Sequence, residues 1–217
     1  MHIKIFGIQR TGTNYLQFLI SHNIIIRNTP TVLEDVGFKQ GGPGWKHGKI
    51  ACIPDITEEA RQSANNIAVI IIKNPYTWYT SIVKWTNGTE KHNYDDFGGQ
   101  TPEHVFKNYN NLYMSHKNFL LGDNKQTVYT DSILIRYEDL ILEPKNEIYR
   151  ITKKFNLVVK DNFMDTNIVV QSKVFTDKIR SYYLSQKPIY DNATIERVNN
   201  SVDWELMKFY GYKELII

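Results

Sequence analysis

The run His2-Ile3-Lys4-Ile5-Phe6-Gly7-Ile8-Gln9-Arg10-Thr11-Gly12-Thr13-Asn14 begins as a short apolar segment, turns through two glycines and leads into a helical pattern. His2 to Ile8 has the character of a buried strand. Beyond the turn, Tyr15, Leu16, Leu19 and Ile20 recur at helical spacing, so a helix is expected from about Thr13. Strand, glycine turn and helix in that order open an α/β ligand-binding unit. Gly7 and Gly12 stand at the G-x-x-x-x-G spacing of a phosphate-binding loop, in which backbone N–H groups and a helix N-terminus face an anion. A nucleoside triphosphatase then needs lysine followed by serine or threonine, the hydroxyl serving Mg²⁺. Thr13 and Asn14 occupy those places, and the cation has moved inside the loop as Arg10. The plain alternative is an ordinary strand–turn–helix corner with incidental glycines.

Working outward, Ile67 to Lys73 (IAVIIIK) is the strongest strand pattern in the chain. An unbroken apolar run implies burial on both faces, hence a central parallel strand. Lys73 lies at its carboxyl end, where open α/β sheets bind their ligands. Asn74-Pro75 follows, then a helical pattern over Tyr76 to Trp85, with Ser81 eight positions after Lys73. A cation at a strand end and a hydroxyl on the next helix suit a second phosphate, although in isolation a solvated lysine and a neutral helix serine are the better explanation. Ser132 to Tyr137 is another buried-type strand, and Ile148, Ile151 and Phe155 share one face of the helix expected after Glu138-Asp139-Leu140. Asn23 to Arg27 and Trp45 to Ile53 are shorter strand candidates; Thr57 to Asn66 reads as a helix capped by Thr57, and Thr101 caps a long helix carrying Val105, Leu112, Phe119 and Leu120. Helical patterns recur around Phe175–Leu184 and Ile195–Tyr210. Residues 28–45 and 86–100 are glycine-containing and loop-like. The expectation is one α/β domain over residues 1–217, with three α/β/α layers around a central, mostly parallel sheet of four or five strands.

Composition narrows the function classes. The 217 residues are 41% hydrophobic and 23% charged, enough apolar surface for a packed core. Net charge is +3 with the basic residues dispersed, which suits an anionic ligand and argues against nucleic acid as partner. Cys52 is the one cysteine, so neither a disulfide framework nor a cysteine metal cluster is expected, and no metal-binding motif occurs. The N-terminal MHIKIFGIQR turns polar too soon for a signal peptide, and no apolar run is long enough for a membrane span; a cytoplasmic protein is expected.

The loop Arg10-Thr11-Gly12-Thr13-Asn14, the Lys73…Ser81 pair and Tyr137-Glu138-Asp139-Leu140 with Pro144 occur in the order found in the sulfotransferase family. The chain resembles that family over most of residues 3–157, with Trp204…Gly211-Tyr212 similar to its C-terminal helix. The resemblance implies a P-loop-like fold and transfer of sulfuryl from 3′-phosphoadenosine 5′-phosphosulfate (PAPS) to a hydroxyl or amine, leaving 3′,5′-ADP, without a metal. It assigns Arg10, Thr11, Gly12, Thr13 and Asn14 to the 5′-phosphosulfate, with Arg10 where the family usually has lysine. Lys73 and Ser81 match the 3′-phosphate ligands, with lysine replacing arginine. Arginine forks bidentately whereas lysine is a point charge, so both exchanges keep charge and change geometry. Tyr15 stands where an aromatic packs on adenine, Tyr137 is placed near the base, and Arg180, beside Tyr182 and Tyr183, stands where a late basic contact to the 3′-phosphate is made.

Transfer also needs a base for the acceptor proton. Among six histidines, His47 lies between the loop and the central strand in sequence, as the catalytic histidine of cytosolic-type members does; a structural histidine beside Trp45 is the competing reading. Glu34 is the alternative base, in the place of the glutamate of polysaccharide-type members. The acceptor is left open as a small molecule or saccharide, and the oligomeric state is not encoded legibly. A P-loop kinase and a non-catalytic nucleotide-binding relative are the rival functions.

Overall fold

The computed structural model describes residues 2–25, 47–50, 66–86, 102–123, 129–165, 169–170, 173–174, 180–181, 184 and 190–217. Along the chain these form β1 (His2–Phe6), α1 (Thr13–Asn23), β2 (Ile24–Ile25), β3 (Asn66–Ile72), α2 (Pro75–Thr86), α3 (Pro102–Leu120), β4 (Tyr129–Arg136), α4 (Tyr137–Leu142), α5 (Pro144–Phe155), β5 (Val158–Val159), β6 (Val169–Val170), β7 (Lys173–Val174), α6 (Asn192–Ser201) and α7 (Trp204–Phe209). Two compact units result, one from Met1–Ile72 with Asn124–Lys187, the other from Lys73–Asp123 with Pro188–Ile217.

The first unit is built on a parallel sheet in the order β1-β3-β4. Every residue of β3 is buried, as the unbroken Ile/Val/Ala run from Ile67 to Ile72 requires of a strand flanked on both sides. Alternation sorts the side chains: Ile3, Ile5, Ile67, Val69, Ile71, Ile133 and Ile135 line one face and pack with α1 and α5 in a single apolar cluster. From α1 come Tyr15, Leu16, Leu19 and Ile20, and from α5 come Ile148 and Ile151. Arg150 and Lys154 of α5 reach across to donate to the Leu134 and Ser132 carbonyls of β4.

The α/β class and the central parallel strand are as expected, while the sheet is smaller: three strands are parallel-paired among the described residues, against the four or five expected. Two local effects account for part of the difference. Ile24 and Ile25 pair antiparallel with Val159 and Val158 of β5 instead of joining the main sheet, because Asn23 ties the end of α1 to the 160s segment: its carbonyl accepts from Lys160 N–H (2.8 Å) and its Nδ2 donates to Met164 O (2.9 Å). Residues 47–50, expected within a strand, form a turn at Gly48. The single helix expected after Tyr137 is two, since Pro144 fills the first position of α5 and cannot donate into α4. The helix expected over 57–66 and the loops 28–45 and 86–100 lie outside the described residues, apart from Asn66, which opens β3, and Thr86, which ends α2.

The second unit is helical with an aromatic core. Trp78 of α2 stacks obliquely on Tyr109 of α3 (4.4 Å), Tyr109 meets Tyr113 edge-on (4.7 Å), and Tyr113 meets Tyr210 (5.7 Å). Buried phenols need partners: Tyr109 donates to Lys73 O (2.9 Å) and Tyr210 to Tyr113 O (2.6 Å). Asp191 and Asp203 cap α6 and α7 by accepting from Thr194 and Leu206 N–H. No helix among the described residues is long and apolar enough to cross a membrane.

Candidate functional site

The β1–α1 turn is shaped from its own residues. Thr11 is fully buried, and both its N–H (3.3 Å) and its hydroxyl (2.6 Å) donate to Ile8 O, which closes the turn from inside. Arg10 takes φ 70° and Gly12 φ 91°. A left-handed arginine costs about 1–2 kcal/mol relative to an ordinary backbone conformation, strain of a kind that concentrates at functional sites. The glycines are required by space. A Cβ on Gly7 would lie 2.7 Å from Ile71 O and 2.8 Å from Thr11 Oγ1, and one on Gly12 would lie 2.5 Å from the Tyr137 ring. Gly12 stands at the N-cap of α1, no side chain caps the helix, and the first intrahelical bond runs from Leu16 N–H to Gly12 O (3.0 Å). A glycine cap presents first-turn amides with no side-chain acceptor of its own, the arrangement that suits an oxyanion.

Arg10 is half-buried at the mouth of this turn. Burial draws its guanidinium below the usual range, partly offset by Tyr137, yet arginine remains cationic in proteins. Tyr137 is buried, and its phenol is pushed up chiefly by burial and further by Glu138 and Tyr15, while Arg10 pulls it down. It is therefore a neutral hydroxyl at physiological pH.

His47 comes to the same turn. Its Nδ1 lies 2.7 Å from Gly7 O. A carbonyl can only accept, so Nδ1 carries the proton and neutral His47 holds its lone pair at Nε2. The histidine singled out from sequence is thus tied to the first residue of the loop in a defined tautomer, from a turn instead of the expected strand. Glu34, the alternative base, lies outside the described residues.

Tyr15 is buried within the apolar cluster, and its hydroxyl donates to Asp165 (3.2 Å). Burial first, then Asp165, push its ionisation upward. Asp165 also pairs with Arg180 (2.8 Å), whose Nε donates to Ile141 O (3.0 Å). Tyr15 and Arg180, drawn separately from sequence, thus share one carboxylate; nothing in the sequence around Asp165 announces it. Tyr182 and Tyr183 lie outside the described residues.

In the second unit, Lys73 is 6% exposed and its carbonyl is held by Tyr109, while Ser81 is half-buried on α2. Asn74 caps this helix: its Oδ1 accepts from Tyr76 N–H (3.0 Å), and its carbonyl accepts from Trp78 N–H (2.8 Å) and the Thr77 hydroxyl (3.0 Å). Asn followed by Pro at a helix start is a capping signal that sequence inspection for ligands passes over. Trp78 and Tyr79 are core residues of this unit. Among the described residues, no group of three His, Cys, Asp or Glu side chains is placed to hold a metal.

No protein-family model and no curated protein matches the sequence.

Proposed function

We propose that the protein is a PAPS-dependent sulfotransferase with a P-loop-like fold. The observation that carries this is the β1–α1 turn: a glycine-capped helix start, a strained arginine beside it, and a histidine of fixed tautomer bonded to Gly7. The chemistry of the donor set fits a phosphosulfate, because backbone amides and a guanidinium meet oxyanions without metal. Thr13 and Asn14 supply no lysine–hydroxyl pair for Mg²⁺-nucleoside triphosphate, which favours sulfuryl over phosphoryl transfer.

In this mechanism the donor supplies a sulfuryl group whose bond to the 5′-phosphate oxygen breaks as a bond to the acceptor oxygen or nitrogen forms. Arg10 and the amides of Gly12 to Asn14 stabilise the charge that collects on the departing phosphate oxygen, the kind of preorganised electrostatic term that dominates transfer catalysis. His47 takes the acceptor's proton at Nε2, with Gly7 O holding the ring through Nδ1. Lys73 and Ser81 are assigned the 3′-phosphate from the resemblance. Lysine meets it as a point charge, so it demands less orientation than arginine. The acceptor contributes a hydroxyl or an amine, on a small molecule or a saccharide.

Calorimetric titration of 3′,5′-ADP against ADP and ATP, with and without Mg²⁺, tests the proposal. Micromolar 3′,5′-ADP binding, indifferent to metal and weakened in Lys73→Ala, is the expected result. Preference for Mg²⁺-ATP overturns it in favour of a kinase. Tight 3′,5′-ADP binding with no transfer from PAPS to any acceptor in a hydroxyl and amine panel reduces the protein to a nucleotide binder.

A further inference from the structure

Tyr137 is the first residue of α4, yet its ring packs on a glycine at the start of α1. A Cβ on Gly12 would sit 2.5 Å from Tyr137 Cδ2 and 2.6 Å from Cε2, closer than any real side chain tolerates. The Cδ2–Cε2 edge of the ring therefore occupies the volume that a residue other than glycine would need. On the loop's other flank, Ile71 of β3 stands equally close to Gly7, through its Cγ2 and its carbonyl, each 2.7 Å from where a Cβ would be. Between these two contacts lie Arg10 at φ 70° and Gly12 at φ 91°, both in a backbone region an unsupported loop leaves readily.

We propose that Tyr137 is a positioning residue: its ring, wedged against Gly12, holds the left-handed cap and thereby fixes the directions of the loop amides and of Arg10. The inference deepens the donor-site reading and rests on it for its functional consequence, but the wedge itself is a property of the fold. Three features make Tyr137 suited to this. It is 6% exposed, so the ring cannot swing into solvent. It follows directly on β4, whose pairing with β3 runs to Ile72↔Arg136, so its backbone is anchored one residue from a hydrogen-bonded ladder. Its phenol is also electrostatically coupled to Arg10, which lies on the same turn as the glycine it touches. A ring at this position sets the amide fan by packing on Gly12, so its removal acts on affinity through loop order.

Native-state hydrogen exchange reads that order directly. The Thr11 and Leu16 amides report on the turn through their bonds to Ile8 O and Gly12 O, and the β3 amides report on the core. In Tyr137→Leu, exchange at Thr11 and Leu16 is expected to rise at least tenfold while β3 is unchanged, and the Kd for 3′,5′-ADP is expected to rise at least tenfold. Tyr137→Phe, which keeps the ring, retains the protection of both amides. Tyr137→Met replaces the leucine variant should that variant fail to fold. Unchanged exchange at Thr11 and Leu16 in the ring-deleted variant overturns the proposal. So does equal loss in Tyr137→Phe, which would assign the effect to the hydroxyl, and so does a parallel rise across β3, which would mark an ordinary core residue. If the unmodified protein binds no 3′,5′-ADP, the donor-site reading fails, and the exchange data still decide whether Tyr137 orders the loop.

Discussion

The two strand-to-helix turns that carry the candidate residues solve the same local problem in opposite ways. At the β1–α1 turn the cap is Gly12, which has no side chain to accept from the first-turn amides, and two residues sit at positive φ. At the β3–α2 turn, Asn74 caps the helix with its own side chain, Pro75 removes one orphan donor, and the Thr77 hydroxyl turns back onto Asn74 O. At the second, Asn74 takes the Tyr76 and Trp78 amides, and the residues the sequence assigns to a ligand there are Lys73 and Ser81. The two turns thus differ in whether a side chain at the cap position takes the helix start, and in the backbone strain each carries.

The sharpest way to break this contrast is Gly12→Ala. A methyl group there adds left-handed strain of about 1–2 kcal/mol and overpacks the Tyr137 ring by about 1–3 kcal/mol. Chemical denaturation should show the sum, about 2–5 kcal/mol, and 3′,5′-ADP binding should be lost. A variant within half a kcal/mol of the unmodified protein, with binding intact, would mean the turn is not wedged.

Arg10 comes next, because there strain and function are separable. Arg10→Gly relieves a positive φ and removes the guanidinium. Its stability should equal or exceed that of the unmodified protein, while sulfuryl transfer falls roughly 10²–10³-fold, the loss typical of deleting one preorganised charge-stabilising donor. Loss of stability without loss of transfer would show that Arg10 is held for packing. His47→Ala should lower kcat while leaving 3′,5′-ADP affinity near its original value, since Nε2 acts on the acceptor; an unchanged kcat transfers the base role to Glu34.

How much of this was legible in sequence follows from how locally each feature is encoded. The β1 and β3 strands, α1, and the glycine loop were readable because apolar periodicity and glycine spacing are properties of contiguous residues. The Lys73 strand end was readable for the same reason. The His47–Gly7 and Tyr137–Gly12 contacts were not, because each joins residues whose meeting depends on strand order, and strand order is a long-range outcome. Among the described residues the parallel sheet falls short of the expected four or five strands in part because Ile24–Ile25 has strand composition but takes its partner from Val158–Val159, a choice made by Asn23's bonds to Lys160 and Met164. Asp165 was missed for the opposite reason: one acidic residue in a polar stretch carries no pattern, and only the approach of Tyr15 and Arg180 gives it a role.

The second turn yields smaller effects, and they separate its cap from its cation. Lys73→Ala removes a buried charge while its carbonyl, the acceptor for Tyr109, stays in place, so the helical unit should fold. Deleting one charged hydrogen-bond donor to phosphate is worth about 1.5–3 kcal/mol, roughly 10–150-fold in 3′,5′-ADP affinity. ADP, which lacks the 3′-phosphate, should bind both proteins alike. Asn74→Ala, one residue away, should do the reverse: it costs about 1 kcal/mol of stability through the lost cap and shifts 3′,5′-ADP affinity by less than about threefold. The pair works as a control on itself. If Asn74→Ala weakened the nucleotide as much as Lys73→Ala, the helix start would be contacting the ligand and the contrast between the turns would collapse. If neither variant changed affinity, the second turn would be a capped helix start and no more, and the β1–α1 loop would hold its anion without help from Lys73.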